Sequence, residues 1–126
     1  MNIRWNAVLI GFLLDLMLSA LISAYAGPDF AKAIDITQPH DLIILALSAL
    51  VIGIGGYTAG RIAGEDRAMN GFMVGTVDVL FTTFQGGVLA RPLLVTEAIA
   101  WALAALGGYL SRFPAAPAVS RPTRRQ

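Results

Sequence analysis

Cysteine is absent from the 126 residues, which excludes disulfides, thiolate metal sites and cysteine nucleophiles and leaves no thiol marker of redox compartment. Histidine occurs once, as His40, and lysine once, as Lys32. A lone imidazole in a loop, outside every apolar run, gives no basis for a hydrolytic site, and His40 with Asp41 has too few neighbouring ligands to hold a metal. Charge is scarce: 13% of the residues are Asp, Glu, Lys or Arg, against roughly a quarter in soluble domains.

What fills the chain instead is apolar. Hydrophobic residues make up 56% and the mean hydropathy is +0.69, which points to lipid as the solvent. Four runs, Trp5 to Ala24, Leu42 to Gly60, Met69 to Leu89 and Leu93 to Leu110, each approach the ~20 residues that cross a ~30 Å hydrocarbon core. None alternates like a barrel strand, and backbone in lipid must satisfy its own hydrogen bonds, so helices are expected. The predicted fold is all-α: an integral membrane four-helix bundle over residues 1–112, followed by a basic, proline-containing cytoplasmic tail over 113–126 that is too polar to build a core.

Basic residues set the direction. Arg4, Arg61, Arg67, Arg112, Arg121, Arg124 and Arg125 fall on one side of the four runs, and only Lys32 and Arg91 on the other. The positive-inside rule then predicts both termini on the cytoplasmic side of the cell membrane. The first loop, with Asp29, Asp35 and Asp41, suits the outer face and has room for a short interfacial helix starting at Pro28. A competing reading takes Arg4, the first apolar run and Ala24-Tyr25-Ala26 as a cleavable signal peptide. The length of that run and Asp15 in its middle favour a retained helix.

Two hairpins share a pattern that reads as an internal duplication. Asn6-Ala7, Gly11 and Asp15 are matched by Asn70-Gly71, Gly75 and Asp78, and Gly55-Gly56-Tyr57 with Arg61 by Gly107-Gly108-Tyr109 with Arg112. Each half would cross twice, giving parallel repeats about an axis along the membrane normal. Small residues are common in bilayer helices, so short matches of this kind also arise by chance.

The glycines predict close helix contacts. Gly56, Gly60 and Gly64 recur every four residues and define one packing face. Ala100, Ala104 and Gly108 form a second, and Ala7 with Gly11 and Gly71 with Gly75 supply others. Such glycine-zipper faces serve either the interior of one monomer or the joining of copies and larger complexes. The run Gly53-Ile54-Gly55-Gly56-Tyr57-Thr58 is not a dinucleotide fingerprint, since Thr58 stands where a glycine is needed and no strand precedes it.

The residues with possible chemistry are three acids. Asp15 and Asp78 fall about ten residues into their helices, near mid-bilayer at ~1.5 Å per residue, and both continue small-residue faces. Glu97 is shallower and within reach of a snorkelling Arg91. An aspartate at a helix centre costs on the order of 3 kcal/mol to insert. Paired acids there could bind and release a proton or a cation, with Thr82, Thr83 and Gln85 extending a polar path. Alternatively, a protonated Asp15 could simply hydrogen-bond across an interface to Tyr57, Thr58, Ser19 or a backbone carbonyl.

The segment Gly55 to Gly64, followed by Asn70-Gly71 and Gly75, resembles that of small four-span prokaryotic membrane proteins with no assigned activity, over the central third of the chain. The resemblance implies a location and a fold. Small multidrug resistance transporters are a second comparison, being short, four-span and acidic in the first helix where Asp15 stands. This chain departs from them in its charge bias and in carrying Asp78 and Glu97. Together these features predict a non-enzymatic, cofactor-free membrane protein. Its partners would be the lipid bilayer, further copies or a larger membrane complex, and not nucleic acid, for which the tail arginines are too few. The alternative is a small proton- or cation-coupled transporter using Asp15, Asp78 and Glu97.

Overall fold

Pro39 and Gly64 set the limits of the longest helix. Gln38 takes the extended conformation (φ −87°, ψ 124°) that a following proline favours, and Pro39 opens the helix with its φ already helical. At the other end Gly64 adopts φ +75° and donates its N–H to Gly60 O at 3.2 Å, a left-handed stop suited to glycine. The computed structural model describes residues 2–27, 37–86 and 91–113, and the side chains of these apart from 85, 86 and 91–97. The expected interfacial helix at Pro28, the end of the third run at Leu89 and the basic tail from 114 lie outside the described residues.

The described chain is all-helical: α1 Trp5–Ala26, α2 Pro39–Ala63, α3 Arg67–Gly86 and α4 Arg91–Leu110. The four expected runs are these four helices, lengthened mainly by polar end residues such as His40, Asp41 and Arg67. α1 and α2 are long and apolar enough to cross a membrane. α3 falls short of that hydropathy because it carries Arg67, Asn70, Asp78 and its threonines, and in α4 the residues whose side chains are described give the apolar stretch Ala98–Leu110.

α2 and α3 occupy the middle of the bundle. Each packs on α1 and on α4, and they pack on each other, while α1 and α4 scarcely meet. Glycines determine how near the axes come. A Cβ on Gly56 would collide with the backbone of Ala104, and one on Gly107 with the carbonyl of Gly53. Helix interiors lose about 1 kcal/mol per glycine relative to alanine, and close backbone packing offsets that loss. Gly53 to Gly60 meet Leu103 to Ser111 in ascending order, so α2 and α4 run parallel, whereas Gly11 meets Gly55 and Ala59 across an antiparallel α1–α2 pair.

Two sequence expectations are refined here. Gly64 does not share the packing face of Gly56 and Gly60: it lies beyond the last turn of α2, is exposed, and has nothing within 4 Å of a Cβ placed on it. The matching hairpins also differ in register. Gly11 opposes Gly55, but Gly75 opposes Trp101 and Ala104, and Gly107, the counterpart of Gly55, turns to α2.

The distribution of side chains is inverted relative to a water-soluble bundle. Buried positions include alanines and polar groups (Ala7, Ala59, Ala63, Ala104, Asp15, Asn70, Ser111) beside larger side chains such as Val8, Phe12, Ile44 and Val74, while many of the largest apolar side chains are exposed. The ladder Trp5, Leu9, Leu13, Met17, Leu21 and Tyr25 runs exposed along one side of α1.

Candidate functional site

The buried face of α1 consists of Ala7, Val8, Gly11, Phe12 and Asp15, the i, i+4 succession that places Asp15 one turn beyond the tightest α1–α2 approach. A Cβ on Gly55 would stand 3.1 Å from Asp15 Cβ, so the absence of a side chain at Gly55 makes room for the acid. Asp15 is 1% exposed, and its Oδ1 has no hydrogen-bond partner among the described residues. Tyr57, Thr58 and Ser19, the expected structural partners, do not reach that oxygen.

Asp78 lies at matching height on α3. α1 and α3 are parallel, with Gly11 against Val74 and the rings of Phe12 and Phe81 edge to face at 5.5 Å. Asp78 is partly buried. The surroundings are apolar: Val8, Phe12, Ala59 and Val74 form the core cluster, with Ile3, Met73 and Val77 against it. A buried carboxylate in such a place is costly unless a proton or a cation neutralises it.

Other predicted site residues are placed differently. The side chains of Glu97, Arg91 and Gln85 lie outside the described residues, so their part in the site is not described. Thr82 is exposed, and the Thr83 hydroxyl donates to Val79 O of its own helix at 2.8 Å. His40 is exposed, with Nδ1 3.3 Å from Asp41 Oδ1. Among the described residues no three metal-ligating side chains gather.

Two polar features were not foreseen. Trp101 Nε1 is buried without a partner among the described residues; its indole stacks on Phe72 at 6.0 Å and packs on Gly75, one turn before Asp78. A tryptophan in the middle of an apolar helix, away from the interfacial positions it favours, was the available signal. The second is Asn70, fully buried at one end of the bundle. Its Oδ1 accepts Arg4 N–H at 2.8 Å, and its Nδ2 contacts Asn2 O, Glu65 O and Asp66 O at 3.2, 3.2 and 3.1 Å. Arg67 beside it donates from Nε to Gly64 O at 2.9 Å and from Nη1 to Ser111 O at 2.5 Å. The start of α1, the α2–α3 turn and the end of α4 therefore meet, and Arg4, Arg61, Arg67 and Arg112 belong to that end.

Compared with protein-family models, with curated proteins and with solved structures, the chain matches none, so its functional reading rests on the acid pair and its setting.

Proposed function

We propose that this is a multi-pass cell-membrane protein with four crossings and both termini cytoplasmic, in which Asp15 and Asp78 bind a proton or small cation coupled to transport. The exposed apolar ladders support a lipid setting, because large aliphatic and aromatic side chains on every helix would face water otherwise. The gathering of arginines at the Asn70 end supports the orientation. In this reading α3 crosses despite its polar residues because Asn70 and Asp78 turn inward or toward an end.

The observation that carries the coupling role is Asp15 Oδ1, fully enclosed and without a partner among the described residues. A purely structural aspartate would use its oxygens on neighbouring donors. The rival reading, an accessory protein joined to others through glycine faces, is weakened by the same packing: Gly11, Gly56, Gly60, Gly75 and Gly108 all abut other helices of the same chain.

The test is proton and Na⁺ flux into liposomes holding the purified protein, together with proton release on titration from acid to neutral pH. Wild type is expected to carry flux and to titrate a group that the double variant Asp15→Asn, Asp78→Asn lacks. If the single and double variants carry the same flux as wild type, coupling through these acids must be abandoned. A wild type that carries none would return the choice to the accessory reading.

A further inference from the structure

On the outer side of the α2–α4 contact, opposite no other helix, lies an apolar groove of 410 Å³, within the range of small-molecule sites. Its α2 wall is Ala46, Leu50, Gly53 and Tyr57, and its α4 wall includes Leu103 and Gly107. The missing side chain at Gly53 keeps the middle of the groove open: a Cβ there would meet only Leu103 O, at 4.0 Å. From Ala46 to Tyr57 it extends about 17 Å along α2 at 1.5 Å per residue, close to one leaflet of a hydrocarbon core about 30 Å thick.

Charge identifies the end. Residues 50, 54, 57 and 61 follow one another at four, three and four places, so Arg61 continues the groove face one turn beyond Tyr57. Arg61 is exposed, and the described residues offer it no hydrogen bond or ion pair. Arg112, by contrast, lies over the Tyr109 ring at 4.8 Å from its centroid, and Arg67 is committed to Gly64 and Ser111. A leaflet-length apolar channel ending in one unengaged guanidinium and a phenol fits a molecule with an acyl chain and a phosphate.

We infer that the α2–α4 groove is a binding site for an anionic phospholipid of the cytoplasmic leaflet, one acyl chain lying between Ala46 and Tyr57 and the headgroup phosphate on Arg61. The inference rests on the membrane reading above and is independent of the acid pair. Occupancy fills a groove that the described residues leave open and fixes the depth of α2 relative to the headgroups. Guanidinium can grip phosphate through two parallel hydrogen bonds, which an ammonium cannot do.

The experiment is native mass spectrometry of detergent-purified protein titrated with phosphatidylglycerol or phosphatidylcholine. Wild type should retain one phosphatidylglycerol in preference to phosphatidylcholine. Arg61→Gln should weaken that retention about fivefold, the effect of one basic side chain at a lipid surface, while Arg112→Gln and Asp15→Asn leave it unchanged. Gly53→Leu, and separately Ala46→Phe, should displace both lipids by filling the channel. Equal retention of the two lipids by wild type, or undiminished retention by both folded groove variants, overturns the site. An equal loss in Arg61→Gln and Arg112→Gln overturns it as well, since that marks diffuse attraction. Protein that stays in solution without detergent overturns the membrane reading and this site with it, whereas failure of ion flux leaves the lipid result standing.

Discussion

Gly11 of α1 and Gly55 of α2 face each other backbone to backbone: a Cβ on either would press against the carbonyl oxygen of the other. Carbonyls held by helical hydrogen bonds cannot yield as a flexible side chain would. Gly11→Val or Gly55→Val is expected to destabilise the bundle by about 1–3 kcal/mol or more, read as a lower midpoint of thermal unfolding in detergent. Gly53→Ala, whose added Cβ meets little, should raise stability by up to about 1 kcal/mol, since it recovers the helix propensity that glycine loses.

Asn70 and Asn6 occupy equivalent places in the repeated pattern but opposite environments, one buried and the other exposed. Asn70→Ala strands the Arg4 N–H and several carbonyls, a loss of about 1–3 kcal/mol. Asn6→Ala should change stability by less than about 0.5 kcal/mol. Comparable effects from the two, in the same unfolding measurement, would mean that the Asn70 network contributes nothing.

Arg67 ties the α2–α3 turn to the end of α4 through Gly64 O and Ser111 O. Arg67→Ala should lower stability by about 1.5–3 kcal/mol, the range for hydrogen bonds from a charged donor. Arg67→Lys should recover only part of this, because an ammonium cannot span two carbonyls in a fixed fork. Hydrogen exchange of the residues around Gly64 and Ser111 would show the loosening directly.

Asp15→Asn keeps the shape of the side chain while removing its charge. Since Oδ1 has no donor to lose among the described residues, the variant should be at least as stable as wild type. A drop of more than about 1 kcal/mol in unfolding free energy would reveal a hydrogen bond whose loss is costly, as the structural alternative requires.

The four helices were legible because each run is long and mainly apolar, even where Asp15, Asp78 or Glu97 interrupts it, and the inward turn of Asp15 because it follows Gly11 by one helical turn. Helix limits were less so: hydropathy passes over Pro39, His40 and Asp41, whereas the backbone reads proline as a start. Gly64 looked like the third member of a stripe until its position past the last turn gave it a positive φ. The partners of identical motifs were not legible at all. Gly55 and Gly107 sit in the same triplet, yet one faces α1 and the other α2, because interhelical register is decided by turn length and by which neighbour is present. Asn70 is buried for a similar reason: the three-residue turn before α3 brings its end against residues 2–4, an arrangement that Asn6 does not share.

The central place of α2 has a consequence for biosynthesis. α1 can settle only on α2 and α3, and α4 only on the same two, so the first hairpin to emerge offers α1 one of its two supports and leaves the α4 side of α2 bare. Gly53, Gly56 and Gly60 then wait without contacts until α4 has been made. Lesions on that face of α2 should therefore be felt late, as chains that form their first hairpin and fail to close.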